Sequence, residues 1–421
     1  MDVQLGETNR LVSPDSMTAP AQEVRMTRPA HIAMVSIPAH GHVNPSLAVI
    51  TELVARGHRV SYVNDPSFAA AVGSTGATLV PYPTVLPLGG DSQVWLQDPV
   101  AIQELFLDDA VAMAPVVRKL FAEDRPDLLL YDIAGFAGRA VAEAHGVPVV
   151  QLSPAFVAWD GYEQDLAEMI DAVRNGPGGA AHYRRFADWL AATGAVERDV
   201  DAFKGRPERA IALVPRALQP NADRVDPGRY TFVGPCAGDR SHQGGWQRPP
   251  GARGRVLLVS LGSAFTRQPA FYRECLKAFG DLPGWHVVLQ VGKHTDLAEL
   301  GDVPANVEVH RWVPQVAVLA QADAFVTHAG MGGASEGLQA GVPMIAVPQA
   351  VDQFSNADRL VELGVARRLD AGQATAEALR EALFALVDDP AVAARLDALR
   401  VAAGAEGGTA RAADLVEAAL A

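Results

Sequence analysis

The feature that most constrains this chain is the run over residues 312–353. It opens with Trp312-Val313-Pro-Gln315, passes a short helix-length spacer, and reaches the apolar stretch 324–327. His328 follows directly. Then come Gly330, Gly332 and Gly333, with Ser335 and Glu336 opening a helical stretch, and later Pro343, Pro348 and the pair Asp352-Gln353. A short apolar run that leads into a cluster of glycines reads as a buried strand. A strand that passes through glycine into a helix is one unit of a parallel sheet.

The same alternation runs along most of the chain. Residues 31–37, 59–63, 78–80, 128–131, 148–152, 211–214 and 230–233 read as strands of a first half. Asn44 reads as an N-cap with Pro45 at the first helical position, for a helix that ends at Gly57. Residues 82–98 and 153–205 break the rhythm, the first a loop with Trp95, the second holding aromatic helical segments. A second half has strands at 255–261, 286–291, 307–310, 324–327, 344–347 and 366–368 and helices at 269–279, 335–339, 353–362 and 374–387. The Ala-rich end, 392–420, is helical. Alternating elements imply two Rossmann-like α/β halves facing across a cleft, with ligands at the carboxyl ends of the strands. The expected division is a disordered tail over 1–26, a first domain over 27–235, a Gly/Pro-rich linker over 236–254, a second domain over 255–400, and a C-terminal helix over 401–421 packing back on the first domain.

Charge and composition exclude several classes. The net charge of −14 argues against nucleic acid or an anionic membrane as partner. No run of about 18 apolar residues exists to span a bilayer. Two cysteines, Cys236 and Cys275, make no disulfide framework, which fits a reducing cytoplasm. The sole Asp-x-Asp, Asp199-Val-Asp201, lies in a polar segment and reads as a solvated loop rather than a metal site.

The residues around 328 carry recognisable chemistry. Glycines let a backbone approach a ligand, and a helix N-terminus favours a diphosphate. Glu336 suits the hydroxyls of a ribose, Trp312 offers a flat face for a base, Gln315 a ribose contact, and Asp352 and Gln353 acceptors and donors for a sugar. In the first half, Pro38-Ala-His40-Gly41-His42-Val-Asn-Pro45 joins strand to helix. His42 is placed to take a proton from a hydroxyl near neutral pH, and Asp132, after an apolar strand, is placed to orient it. A nicotinamide-dependent reductase would need Gly-x-Gly-x-x-Gly after the first strand, where this chain has Pro-Ala-His-Gly-His-Val. A non-catalytic nucleotide-sugar or antibiotic binder would have no use for the His42–Asp132 pair.

These motifs together strongly resemble the signature of family 1, nucleotide-sugar-dependent glycosyltransferases. Gly41-His-Val-Asn-Pro-Ser-Leu, Glu52-Leu-Val-Ala-Arg-Gly-His-Arg-Val, Tyr230-Thr-Phe-Val-Gly and Ser260-Leu-Gly-Ser-Ala-Phe look like bacterial macrolide glycosyltransferases of the oleandomycin-inactivating kind. The resemblance covers about residues 28–421. It implies the GT-B fold and inverting transfer of glucose from UDP-glucose to a hydroxyl of a macrolide, phenol or similar hydrophobic molecule, giving a β-glucoside. It makes His42 the base, with Asp132 behind it. It puts Ser263, Trp312, Val313, Gln315, His328, Gly330, Gly333, Glu336, Asp352 and Gln353 on the donor. His40, Trp95, Phe156 and Trp159 are expected near the acceptor, with Asp108, Asp109, Asp160 and Glu163 available to a cationic amino sugar. No cofactor or metal is expected, since the turn and His328 take a cation's place. Plant members usually carry Trp-Asn-Ser where Met331, Gly332 and Gly333 stand, so backbone amides must carry that contact here.

Overall fold

The structure is a computed structural model that describes residues 28–88, 98–236, 238, 240 and 243–420. Trp95 and the expected tail over 1–26 lie outside the described residues.

Two parallel sheets carry the chain. The first has strands β1 (His31–Val35), β2 (Arg59–Asn64), β3 (Thr78–Pro81), β4 (Leu128–Asp132), β5 (Val149–Ser153), β6 (Ala210–Ala212) and β7 (Tyr230–Phe232), in the order β3-β2-β1-β4-β5-β6-β7. The second has β8 (Arg255–Ser260), β9 (Trp285–Gln290), β10 (Val307–His310), β11 (Ala324–Thr327), β12 (Met344–Ala346) and β13 (Ala366–Arg368), in the order β10-β9-β8-β11-β12-β13. The alternating apolar and amphipathic pattern therefore became two doubly wound sheets, as expected. The segment between β7 and β8 spans the stretch read as a linker.

Burial on both faces explains the near-continuous apolar strands. In β1 and β4, Ile32, Met34, Leu128 and Leu130 feed one core, while Ala33, Val35, Leu129 and Tyr131 feed the other. Each fully buried aliphatic side chain of this kind contributes about 2 kcal/mol. Strand order reverses on either side of β1/β4 and of β8/β11, which opens a crevice at the carboxyl ends of those strands.

Three boundaries differ from the sequence reading, and each matters. The first helix, α1, spans His40–Ala55, so it begins one turn before Asn44 and holds Pro45 inside. A proline near a helix start forfeits one hydrogen bond, and Val43 N–H already closes on Ala39 O at 2.9 Å. His42 therefore sits in a helical first turn, not in a loop. The helix behind His328 spans Met331–Ala340, so Gly332 and Gly333 form its first turn. The C-terminal stretch is two helices, Pro390–Ala405 and Gly408–Ala418, broken at Gly407 (φ 96°).

That last helix returns to the first sheet. Gly408 N–H donates to Val233 O at 2.7 Å. Small residues Ala412 and Ala413 let it lie close on the α1 side of the first core. Arg56, the C-cap of α1, pairs with Asp414 and Glu417 at 2.7 Å each.

Candidate active site

Asp132 is the last residue of β4 and is fully buried. Its Oδ2 accepts from Ile37 N–H at 2.7 Å, and Oδ1 accepts from Ala134 N–H at 2.6 Å. The same Oδ1 faces His42 Nδ1 at 3.4 Å. Asp132 does not cap the following helix, whose N-cap is Gly135. It ties the β1–α1 connection to the end of β4 and offers its remaining capacity to the histidine. Burial lowers the His42 pKa, but the charge and hydrogen bond of Asp132 and the charge of Asp352 outweigh it and hold the pKa above the ordinary imidazole value.

The second half supplies the glycine-lined wall. His328 follows β11, and Ala329 takes a left-handed φ of 59° to turn the chain toward Gly330, the N-cap of the next helix. The first helical bond is Ala334 N–H to Gly330 O, 2.9 Å, so the amides of Met331, Gly332 and Gly333 precede the ladder and are free for a ligand. The His328 ring is wedged between two glycines. A Cβ on Gly262 would lie 2.6 Å from its Cε1, and one on Gly330 would lie 2.5 Å from its Nε2. Gly332 faces open space, with nothing within 4 Å of a Cβ.

Burial pulls the His328 pKa down to about 4, and its Nδ1 has no hydrogen-bond partner. The ring is therefore neutral at pH 7. It can donate one hydrogen bond but brings no charge of its own. Ser335 Oγ is buried without a partner and does not line the cavity.

Glu336 is held at both oxygens, by Arg240 at Oε1 and by Gln315 Nε2 at Oε2, 2.7 Å. Asp352 stands at the N-cap position of the Gln353–Glu362 helix without a side-chain capping bond and accepts from Asn356 Nδ2 at 2.9 Å; burial raises its pKa. Gln353 Oε1 accepts from Gln349 N–H at 2.8 Å and Ala350 N–H at 3.1 Å, which leaves its Nε2 as a donor. Trp312 is 45% exposed, and its ring meets His40 of α1 at 5.6 Å between centroids. His40 also packs on Phe68 at 5.1 Å.

Two cavities open between the halves, and His42 lines both. The smaller, about 300 Å³, takes in Ser263, Trp312, Val313, Gln315, His328, Gly330, Gly333, Glu336, Asp352 and Gln353, the whole donor set read from sequence. The larger, about 540 Å³, is mainly apolar, with Phe68, Leu86, Leu88 and Phe265 on its walls, and Lys293 and Arg311 at its edge.

The acceptor expectations fare differently. His40 lines both cavities. Phe156 and Trp159 line neither; they pack against a core cluster, and Trp159 Nε1 donates to Asp165 at 2.7 Å. Asp109 is buried, accepting from Tyr82, Thr84 and Val85, while Asp108 and Glu163 pair with Arg185 and Arg206 and Asp160 holds Arg224 through its carbonyl. None of these acids lines either cavity. Asp199 caps the Val200–Gly205 helix, and Asp201 takes the hydroxyl of Tyr183 at 2.8 Å. Among the described residues, no three His, Cys, Asp or Glu side chains converge as a metal site.

Three further residues shape the site. Gly262 makes room for the His328 ring. Gln290, the last residue of β9, donates to Gly262 O at 2.7 Å and accepts from Val313 N–H at 3.2 Å, so it braces two cavity loops at once. Arg240 arrives from the segment between the sheets. Of these, only Gly262, inside Ser260-Leu-Gly-Ser263, carried a local sequence signal.

Relatives share this architecture. The chain is 57% identical to oleandomycin glycosyltransferase of Streptomyces antibioticus, over 94% of this chain and 92% of that one. It is 33% identical to NDP-glycosyltransferase YjiC of Bacillus subtilis, over 92% and 97%. Among solved structures, the glycosyltransferase of kitacinnamycin superposes with a TM-score of 0.86 at 53% identity, over 94% of this chain and all of that one. The calicheamicin glycosyltransferase CalG4 superposes at 0.78 with 35% identity, over 94% and 99%. The fold is GT-B. Residues 230–399, which supply the glycine-rich wall of the smaller cavity, match the model of the UDP-glucoronosyl and UDP-glucosyl transferases. On the strength of this match and of the relatives that run the length of the chain, the protein belongs to that family and is a glycosyltransferase.

Proposed function

We propose that the enzyme transfers glucose from UDP-glucose to a hydroxyl of a macrolide or similar hydrophobic small molecule, with inversion. The observation that carries the reading is the position of His42. A histidine backed by a buried carboxylate borders both a cavity lined by the donor set and a larger apolar one. The donor occupies the smaller cavity, its diphosphate against the Met331–Gly333 amides and its ribose at Glu336. The acceptor occupies the larger.

His42 takes the proton of the acceptor hydroxyl as oxygen attacks the anomeric carbon, and Asp132 stabilises the imidazolium that forms. The bond to UDP breaks in the same step, and the helix N-terminus and the neutral His328 meet the developing charge. An α-linked donor gives a β-glucoside. Nothing in this sequence of steps calls for a metal or a cofactor. A non-catalytic binder would leave the oriented histidine without a task. The buried, unpaired Cys236 and Cys275 suit a cytoplasmic reaction. The relative named for oleandomycin supports a macrolide acceptor.

Incubation with UDP-glucose and oleandomycin, read by mass spectrometry and by the anomeric proton coupling, tests the reading. A product heavier by one hexose with a β linkage is expected. An α-linked product, or transfer only from another nucleotide sugar, would overturn it.

A further inference from the structure

We infer that Arg240 is the counter-cation of the donor diphosphate, exchanging its partner Glu336 for the phosphates when the ribose takes the carboxylate. This inference rests on the reading that Glu336 binds ribose.

The charge balance of the smaller cavity leads to it. Its walls carry two carboxylates, Glu336 and Asp352, and a donor adds a dianionic diphosphate. A buried anion needs compensation by a partner of opposite charge. A helix N-terminus supplies about half a charge. His328 supplies none, since burial keeps its ring neutral. Among the described residues, Arg240 is the only Lys or Arg that lines this cavity. Lys293 and Arg311 border the larger one, and Arg311 is committed to the carbonyl of Lys293 at 2.7 Å.

Geometry allows the exchange. Arg240 pairs with Glu336 Oε1 through Nη1, and both side chains are largely buried, at 14% and 13% exposure. Glu336 stands three and four residues after Gly333 and Gly332 on one helix, so the ion pair and the first-turn amides lie on one face, a turn apart. A long arginine side chain spans that interval. Gln315 holds the other oxygen, Oε2, so Glu336 stays oriented while Oε1 changes partner from guanidinium to ribose hydroxyl. The guanidinium fork then meets phosphate oxygens, its best-matched partner. Arg240 thus takes the place in charge that His328 cannot fill.

Calorimetric titration of the full-length protein with UDP and with uridine separates the possibilities. Arg240→Gln is expected to lose about 10- to 100-fold in UDP affinity. Its uridine affinity should stay equal or improve, because Oε1 is released. Uridine binding by this variant also shows that it folds. Arg240→Lys should recover part of the loss, and added salt should weaken UDP binding to the wild type more than to Arg240→Gln. Equal losses for UDP and uridine in Arg240→Gln would reduce Arg240 to a brace for Glu336 and overturn the inference, as would unchanged UDP binding. If Arg240→Gln does not fold, the Arg240→Lys protein and the wild-type salt dependence decide: UDP and uridine responding alike to salt overturns the inference. Glu336→Gln tests the underlying reading separately. Uridine binding unaffected by that change removes the ribose from Glu336, whatever Arg240 does.

Discussion

His42 Nδ1 and Asp132 Oδ1 lie 3.4 Å apart, and the same buried carboxylate fixes the Ile37 amide that leads into the histidine's helix. One group therefore sets both the ring's surroundings and the path of the backbone that delivers it. The separation is long for a hydrogen bond, as is common for catalytic pairs before substrate tightens them.

A raised His42 pKa gives the rate a definite acid limb. In the proposed role of base His42 works only when neutral, so kcat/KM is expected to rise with pH through a midpoint above 6.5. Asp132→Asn removes the charge that holds the pKa up, so the limb should move to lower pH while the plateau falls by at least about 100-fold. His42→Ala should lose turnover by about 1,000-fold or more and keep UDP binding. Activity surviving His42→Ala, or an acid limb unmoved in Asp132→Asn, would show that another group is the base.

His328 links the donor wall to stability. Its pKa is about 4 in the fold and 6.5 when exposed, so the unfolded chain binds the proton more readily. The fold keeps the full contribution above pH 6.5 and loses it as pH falls from 6.5 toward 4, by about 3 kcal/mol at most. Urea titrations at pH 7 and 5 should show a steeper loss for the wild type than for His328→Gln. Parallel losses would place the ring in water. His328→Ala should also weaken UDP binding about tenfold by removing one hydrogen bond.

The two glycines around that ring separate packing from charge. Gly262→Ala and Gly330→Ala each drive a methyl to within 2.6 Å of the imidazole, whereas Gly332→Ala meets nothing within 4 Å. The first two should raise the donor KM by about tenfold or more as His328 shifts, with the left-handed Gly262 (φ 74°) also losing stability. Gly332→Ala should leave the donor KM nearly unchanged. Initial-rate kinetics with varied UDP-glucose make the comparison, and equal behaviour of all three would mean the ring position does not matter.

The glycine-lined wall of the smaller cavity was legible because its parts are local. A strand end, a histidine, three glycines and a glutamate lie within about a dozen residues, and a β–α connection has few ways to arrange them. Asp132 was legible for a similar reason, as the polar stop to an apolar strand. Pro45 misled because proline suits a first helical position, while packing of Val43 and Leu47 started α1 a turn earlier. Phe156 and Trp159 misled because an aromatic in a core and one on a cavity wall look alike in sequence. Arg240 left no signal at all: it sits in an aperiodic segment and meets Glu336 across 96 residues.

Strain marks the final stretch of the donor wall. Val351 holds a φ of 48°, a left-handed conformation that a β-branched residue rarely adopts, and it borders both cavities next to Asp352 and Gln353. Gln353 enforces it by accepting from both Gln349 and Ala350 amides. Such a residue costs about 1–3 kcal/mol, and glycine would return part of that while adding freedom to the unfolded chain. Val351→Gly should therefore stabilise the protein by about 1 kcal/mol. It should also loosen the turn that aims Asp352 and Gln353, raising the KM for UDP-glucose while UDP binding stays intact, since these residues are read as sugar contacts. Thermal melts and kinetics on the same preparation test both halves. A less stable variant with unchanged kinetics would mean that the left-handed turn at Val351 neither stores strain nor positions the sugar.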